Sequence, residues 1–120
     1  MLTIGTVVAG VEDVARAVEF WTAALGYVTR DGDEPGGDFI VLVPARQAPG
    51  THLALYRSET PVQEHPRVHL DLYAADQSEE VERLTSLGAT EVAWDLYPDA
   101  PDFVVLADTE GNRFCVVDAS

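Results

Sequence analysis

The sequence predicts an α+β fold made of two β-α-β-β-β modules in tandem, and three observations carry that expectation. The two halves open alike: Thr6-Val-Val-Ala-Gly-Val-Glu-Asp13 and His69-Leu-Asp-Leu-Tyr-Ala-Ala-Asp76 each run an extended, largely apolar stretch into an acidic residue seven positions on. A helical pattern follows each opening and ends at Leu25-Gly26 or Leu87-Gly88. Further along, Asp38-Phe-Ile-Val-Leu42 is echoed by Asp102-Phe-Val-Val-Leu106, and Gly50-Thr-His-Leu-Ala54 by Gly111-Asn-Arg-Phe-Cys115, with offsets of 61 to 64 residues. A unit of about 60 residues buries too little surface to be secure alone. Two such units sharing a sheet make one core, and the groove between them is a natural ligand site.

Each element has its own local reason. Residues 2–9 alternate as a strand, with Leu2, Ile4, Thr6 and Val8 on one face. Asp13 is placed to cap a helix over 14–25, whose apolar positions Val14, Ala17, Val18, Trp21 and Leu25 keep the helical period until Gly26 stops it. Tyr27–Arg30 reads as a second strand, and 31–37 as a loop dense in Gly, Pro and Asp. Phe39–Val43 and His52–Tyr56 complete the first module, residues 1–59, and a polar, proline-bearing linker spans 60–66. The order then repeats over 67–120, the whole forming one domain, 1–120. A strand covers Arg67–Tyr73, a capping box Asp76-Gln-Ser-Glu79 opens a helix presenting Val81, Leu84 and Leu87, and strands follow at Glu91–Asp95, Phe103–Ala107 and Arg113–Val117.

Composition narrows the function classes. The formal net charge is −14, which argues against nucleic acid and against an anionic membrane as partners. Such a field suits a cationic ligand, but most of the carboxylates fall in loops and on helix faces, where they serve solubility. No apolar run is long enough for a membrane helix, and the N-terminus lacks a basic flank, so a cytoplasmic location is expected. A single cysteine, Cys115, excludes an intramolecular disulfide and reads first as a small buried hydrophobe.

Several segments, in this order, resemble the vicinal oxygen chelate superfamily, also called the glyoxalase/bleomycin-resistance/dioxygenase superfamily. Val11-Glu-Asp-Val-Ala-Arg-Ala-Val-Glu-Phe-Trp21 is similar to the family's first helix entry, and Ala24-Leu-Gly-Tyr27 to its exit. Leu106-Ala-Asp-Thr-Glu-Gly-Asn-Arg-Phe114 resembles its aspartate-x-x-glycine-asparagine turn before the last strand. Arg67-Val-His-Leu-Asp-Leu72 and Asn112-Arg-Phe-Cys115 are most similar to the glyoxalase-like branch. The resemblance implies a curled, eight-stranded mixed sheet, a cup with the helices outside. It also implies ligand positions for a divalent metal on the first and fourth strands of each module, which here are Thr6, Ala54, His69 and Cys115. Alanine has no donor and a threonine hydroxyl is a poor one, so no metal cofactor is expected. The alternative is a divalent metal held by His69 and Cys115 with help from Asp71 or His52.

Strand parity sorts the cup face. Val68, Leu70 and Leu72 form an apolar face suited to lie under a helix, so His69, Asp71 and Tyr73 point the other way. By the same alternation His52, Ala54 and Tyr56 share a face, as do Arg113, Cys115 and Val117, and Thr6 goes with Val8. The ligand-binding set is therefore Thr6, Val8, His52, Tyr56, His69, Tyr73, Trp94, Tyr97, Arg113 and Cys115, with His69 and Asp71 as the acid–base pair if there is catalysis. Asp71 has two readings, orienting His69 or pairing with Arg113. Trp94 and Tyr97 either stack on a planar ligand or close the core, and His65, in the linker, is expected to be solvated.

Three functions follow. The first is a protein that binds or sequesters a hydrophobic or aromatic small molecule, a metabolite or an antibiotic, without a metal. The second is a lyase, isomerase or cyclase working through His69 and Asp71. The third is a metal-dependent glyoxalase-type enzyme. Nothing in the residues selects between binding and catalysis, and the resemblance, with two open-ended sheets, implies a homodimer.

Overall fold

A computed structural model describes all of residues 1–120. It divides into two compact units, Met1–Pro61 and Val62–Ser120, and the division falls inside the segment read as the linker. Each unit has the expected β-α-β-β-β order, with a mixed four-stranded sheet. In the first, β1 (Thr6–Val11), α1 (Val14–Leu25), β2 (Tyr27–Thr29), β3 (Phe39–Pro44) and β4 (His52–Arg57) give the sheet order β1-β4-β3-β2. In the second, β5 (Asp71–Ala74), α2 (Gln77–Ser86), β6 (Thr90–Glu91), β7 (Phe103–Ala107) and β8 (Arg113–Asp118) give β5-β8-β7-β6. In both sheets the first strand runs parallel to the last, and the other pairings are antiparallel.

The repeat holds to the level of single rungs. Val8 faces Ala54, which faces Val41 in the first sheet; Asp71 faces Cys115, which faces Val105 in the second. Both helices start on the residues that local chemistry names. Asp13 Oδ1 accepts from the Arg16 amide at 3.0 Å, and Asp76 Oδ1 from the Glu79 amide at 3.1 Å. Gly26 ends α1 in the left-handed region at φ 69°, where a side chain is disfavoured.

Each helix covers one face of its own sheet. Val14, Ala17, Phe20 and Trp21 are buried where α1 packs on β2, β3 and β4, over the helix-facing residues Ile40, Leu42, Leu53 and Leu55. Phe20 and Trp21 meet edge to face at 5.0 Å. In the second unit Leu84 is buried where α2 packs on β5 and β8, and Ala74, Leu106, Phe114 and Val116 fill the same layer. Gln77 pins the start of α2 to the sheet, donating to the carbonyls of Asp102 and Val116 at 3.1 and 2.9 Å.

Three strands depart from the expected bounds by more than one residue, each for a hydrogen-bonding reason. The first begins at Thr6 and not Leu2 because β4 begins at His52; the His52 amide to the Gly5 carbonyl is the last tie, and Leu2 and Ile4 lie exposed beyond it. The fifth opens at Asp71 and not Arg67, tied first by the Cys115 amide to the Leu70 carbonyl at 2.9 Å. The sixth stops at Glu91 because the Val105 amide, which a longer strand would have taken, donates to Tyr97 Oη at 2.8 Å. The corresponding amide in the first unit, Val41, donates to Asp33 Oδ2 at 2.8 Å. No helix is long and apolar enough to cross a membrane.

Candidate functional site

The chemistry gathers on the helix-free face of the second sheet. Successive strand residues point to opposite faces, so once Leu72 and Ala74 go toward α2, Asp71 and Tyr73 must go the other way. The Asp71↔Cys115 rung puts the cysteine beside the aspartate on that face. His69, two residues before Asp71, completes the group: its Nε2 lies 2.9 Å from Asp71 Oδ1. One donor atom from each of His69, Asp71 and Cys115 lies within 4.8 Å of the others. An ionised carboxylate only accepts, so Nε2 carries the proton in this pair.

Burial grades the cluster. Cys115 is buried, whereas the side chains of His69 and Asp71 are 43% and 50% exposed. Burial is the main force that pushes the Cys115 thiol up to about 11; the Asp71 charge and a hydrogen bond to Asp71 add to it. The thiol is thus protonated at neutral pH and Asp71 accepts from both neighbours. Of the two sequence readings of Asp71, the structure realises the pairing with His69; Arg113 instead donates from Nη1 to the Gly111 carbonyl at 2.7 Å.

The remaining site residues fall into three groups. Tyr73, 77% exposed, shares the face with His69, Asp71 and Cys115, and Arg113 lies two residues before Cys115 on the same strand. Thr6, Val8, His52 and Tyr56 share the corresponding face of the first sheet, where Val8 is 53% exposed and Thr6 pairs with His52. Thr6 lies as far before the capping Asp13 as His69 does before Asp76, and Val8 and Ala54 occupy the rung of Asp71 and Cys115. The first module therefore repeats the scaffold without the titratable cluster. Trp94 and Tyr97 have protein partners: Trp94 lies 4.9 Å from the His65 ring, and Tyr97 packs 5.3 Å from Phe103 while accepting from Val105. His65, expected to be solvated, also bonds Asp95 through Nε2 at 2.7 Å and holds that carboxylate below the usual range.

The turn before β8 has a clear local cause. Asp108 Oδ1 accepts from the amides of Glu110 and Asn112 at 2.8 and 2.9 Å, and Gly111 takes φ 88°. That turn delivers Arg113 and Cys115 to the sheet. A cleft of about 690 Å³ at the N-terminus of α1, which the sequence did not signal, is lined by Asp13, Asp33 and Arg57 among others. Its charges serve the fold: Asp13 caps α1, Asp33 pairs with Arg30 at 2.8 Å, and Arg57 with Glu59 at 3.6 Å.

The donor set bears on a metal directly. Ala54 and Thr6 contribute nothing useful at two of the four positions at which the superfamily places ligands, so its shared site does not fit this chain. What the structure assembles is a nitrogen, an oxygen and a sulfur donor within one module, already hydrogen-bonded to one another.

A family model for the glyoxalase-like domain matches residues 6–117. No curated protein matches the chain in sequence. Among solved structures, a glyoxalase-related enzyme from Fulvimarina pelagi is 15% identical with a TM-score of 0.68, over 98% of this chain and 88% of that one. A member of the glyoxalase/bleomycin resistance protein/dioxygenase superfamily from Sphaerobacter thermophilus is 21% identical with a TM-score of 0.69, over 98% of both chains. A possible glyoxalase from Bacillus cereus is 21% identical with a TM-score of 0.68, over 98% of this chain and 99% of that one.

Proposed function

The chain belongs to the glyoxalase-like domain family of the vicinal oxygen chelate superfamily, and from that premise we propose that it binds a hydrophobic or aromatic small molecule, a metabolite or an antibiotic, on the helix-free face of its second module. The observation that carries this reading is the polar cluster His69–Asp71–Cys115 on a face that leaves Tyr73 77% exposed. A few convergent polar groups on an apolar, aromatic surface are the usual makeup of a small-molecule site. Binding is metal-free in this reading, because alanine and threonine stand at two of the four positions at which the superfamily places metal ligands. The protein acts as a homodimer: β1 and β5 are both sheet edges, and exposed edges call for a cover.

The 2.9 Å His69–Asp71 bond favours a second reading, acid–base catalysis on the bound compound, since an aspartate that orients an imidazole is a common general-base arrangement. One variant separates the two. With a compound found by thermal-shift screening, His69→Gln keeps shape and hydrogen bonding but removes the titratable group. A pure binder retains its affinity between pH 5 and 8; an enzyme loses about 10²–10⁴-fold in turnover. Normal binding without conversion in the variant, where the wild type converts the compound, rejects sequestration. Elemental analysis after dialysis against Zn²⁺, Ni²⁺, Mn²⁺ or Fe²⁺ should find less than one equivalent. Stoichiometric metal lost in His69→Ala would replace the metal-free reading by a three-donor site.

A further inference from the structure

All positive side-chain charge outside histidine comes from seven arginines, set against 21 acidic residues. With carboxylates in that excess, an arginine without one has not lacked candidates. Arg30, Arg57 and Arg83 each hold a carboxylate, Asp33, Glu59 and Glu80. Arg113 holds none. It is part-buried, its Nη1 donates to the Gly111 carbonyl, and its buried Nε–H finds no acceptor. A guanidinium carries five donors, and a charge withdrawn from water without a counterion is costly. The position is not arbitrary either. Arg113 heads β8, two residues before Cys115 and so on the same face of the sheet, the face where Cys115 meets Asp71 and His69.

We propose that Arg113 is the anion anchor of the module-two site, and that the compound bound there carries a carboxylate, which supplies the counterion the protein withholds. The inference rests on the small-molecule reading above and names its ligand class. The anchor works locally, against the field of a chain whose net charge is −14. Asp71 does not oppose it strongly, because its charge is already shared between His69 Nε2 and the Cys115 thiol. A carboxylate fits the planar fork of a guanidinium, whereas a neutral amide of the same shape forgoes the charge-assisted bond.

Phenylacetate and phenylacetamide, titrated separately into the ¹⁵N-labelled full chain at equal ionic strength, test this. Phenylacetate should move the amide signals of Cys115 and Val117 and the side-chain Nε–H signal of Arg113. Arg113→Gln should weaken it at least about tenfold while leaving phenylacetamide unchanged, and Arg113→Lys should restore part of the loss. A purely structural arginine would lower the melting temperature in both variants without separating the two compounds. Equal binding of both compounds at this face, in wild type and Arg113→Gln alike, overturns the anion anchor and leaves the binding reading standing. Shifts confined to other residues overturn the anchor as well. If neither compound moves Cys115 or Val117 up to about 10 mM, both the anchor and the binding reading fall.

Discussion

Cys115, the one cysteine of the chain, is buried on a strand beside a carboxylate, and both circumstances disfavour its thiolate. Its value of about 11 against an ordinary 9.0 leaves roughly 100-fold less thiolate at pH 8 than a solvated thiol would have. Ellman's reagent should therefore label the folded protein slowly at pH 8. Asp71→Asn, which removes the charge and weakens the hydrogen bond, should speed labelling but not to the rate of the unfolded chain, because burial, the larger cause, persists. The linkage has a definite sign. A folded value raised above the unfolded one gives stability that is full below pH 9 and is lost as pH rises through about 11. Cys115→Ala should lack that alkaline decline, and urea midpoints at pH 8 and 10.5 would show it. The alternation of His69, Asp71 and Tyr73 was legible in the sequence because strand periodicity is local. The partner of Asp71 was not, because it depends on where a guanidinium from a distant turn comes to rest.

Short strands in both modules are completed by side-chain oxygens. Asp33 takes the Val41 amide and Tyr97 takes the Val105 amide, at corresponding places in the two repeats. Tyr97→Phe leaves a part-buried amide without an acceptor and should cost about 1–3 kcal/mol in urea unfolding, whereas Tyr56→Phe, on an equally exposed ring with no such bond, should stay within about 0.5. Asp33 also carries an ion pair with Arg30, and the Val41 amide and that arginine hold its carboxyl below the usual range. A depressed folded value contributes stability above the unfolded pKa and loses it as pH falls through the folded one. Asp33→Asn, whose amide oxygen still accepts from Val41, should therefore be less stable than wild type at pH 7, with the gap closing in acid. Unequal closure on titration to pH 2 would refute that assignment. The helices were legible to the residue at their starts, since caps are short-range. Strand ends were not: β1 and β6 stop where a partner strand or a loop side chain supplies the next hydrogen bond.

For the whole molecule, open edge strands in both sheets and exposed apolar residues on them, Val8 at 53%, Phe39 at 50% and Tyr73 at 77%, stand against a net charge of −14. Burial of apolar surface drives association, and like charge on two copies opposes it. Sedimentation at micromolar concentration should thus find a dimer of the 13.0 kDa chain, tightened as salt rises and screens the repulsion. A monomer at every ionic strength would refute the homodimer.

Duplication, module order, helix caps and the polarity of each strand face were determined by the sequence itself, because each depends on neighbours within one or two turns of chain or on an alternation of period two. Tertiary structure alone decided what meets across the rungs. It placed His69, Asp71 and Cys115 within 4.8 Å of one another, turned Trp94 onto His65 and Tyr97 onto the sheet, and left Arg113 without a carboxylate. The Trp94–His65 contact and the approach of Cys115 to His69 and Asp71 join residues 29 to 46 positions apart, and contacts at that range follow from packing the sheet and its loops, which no local pattern encodes.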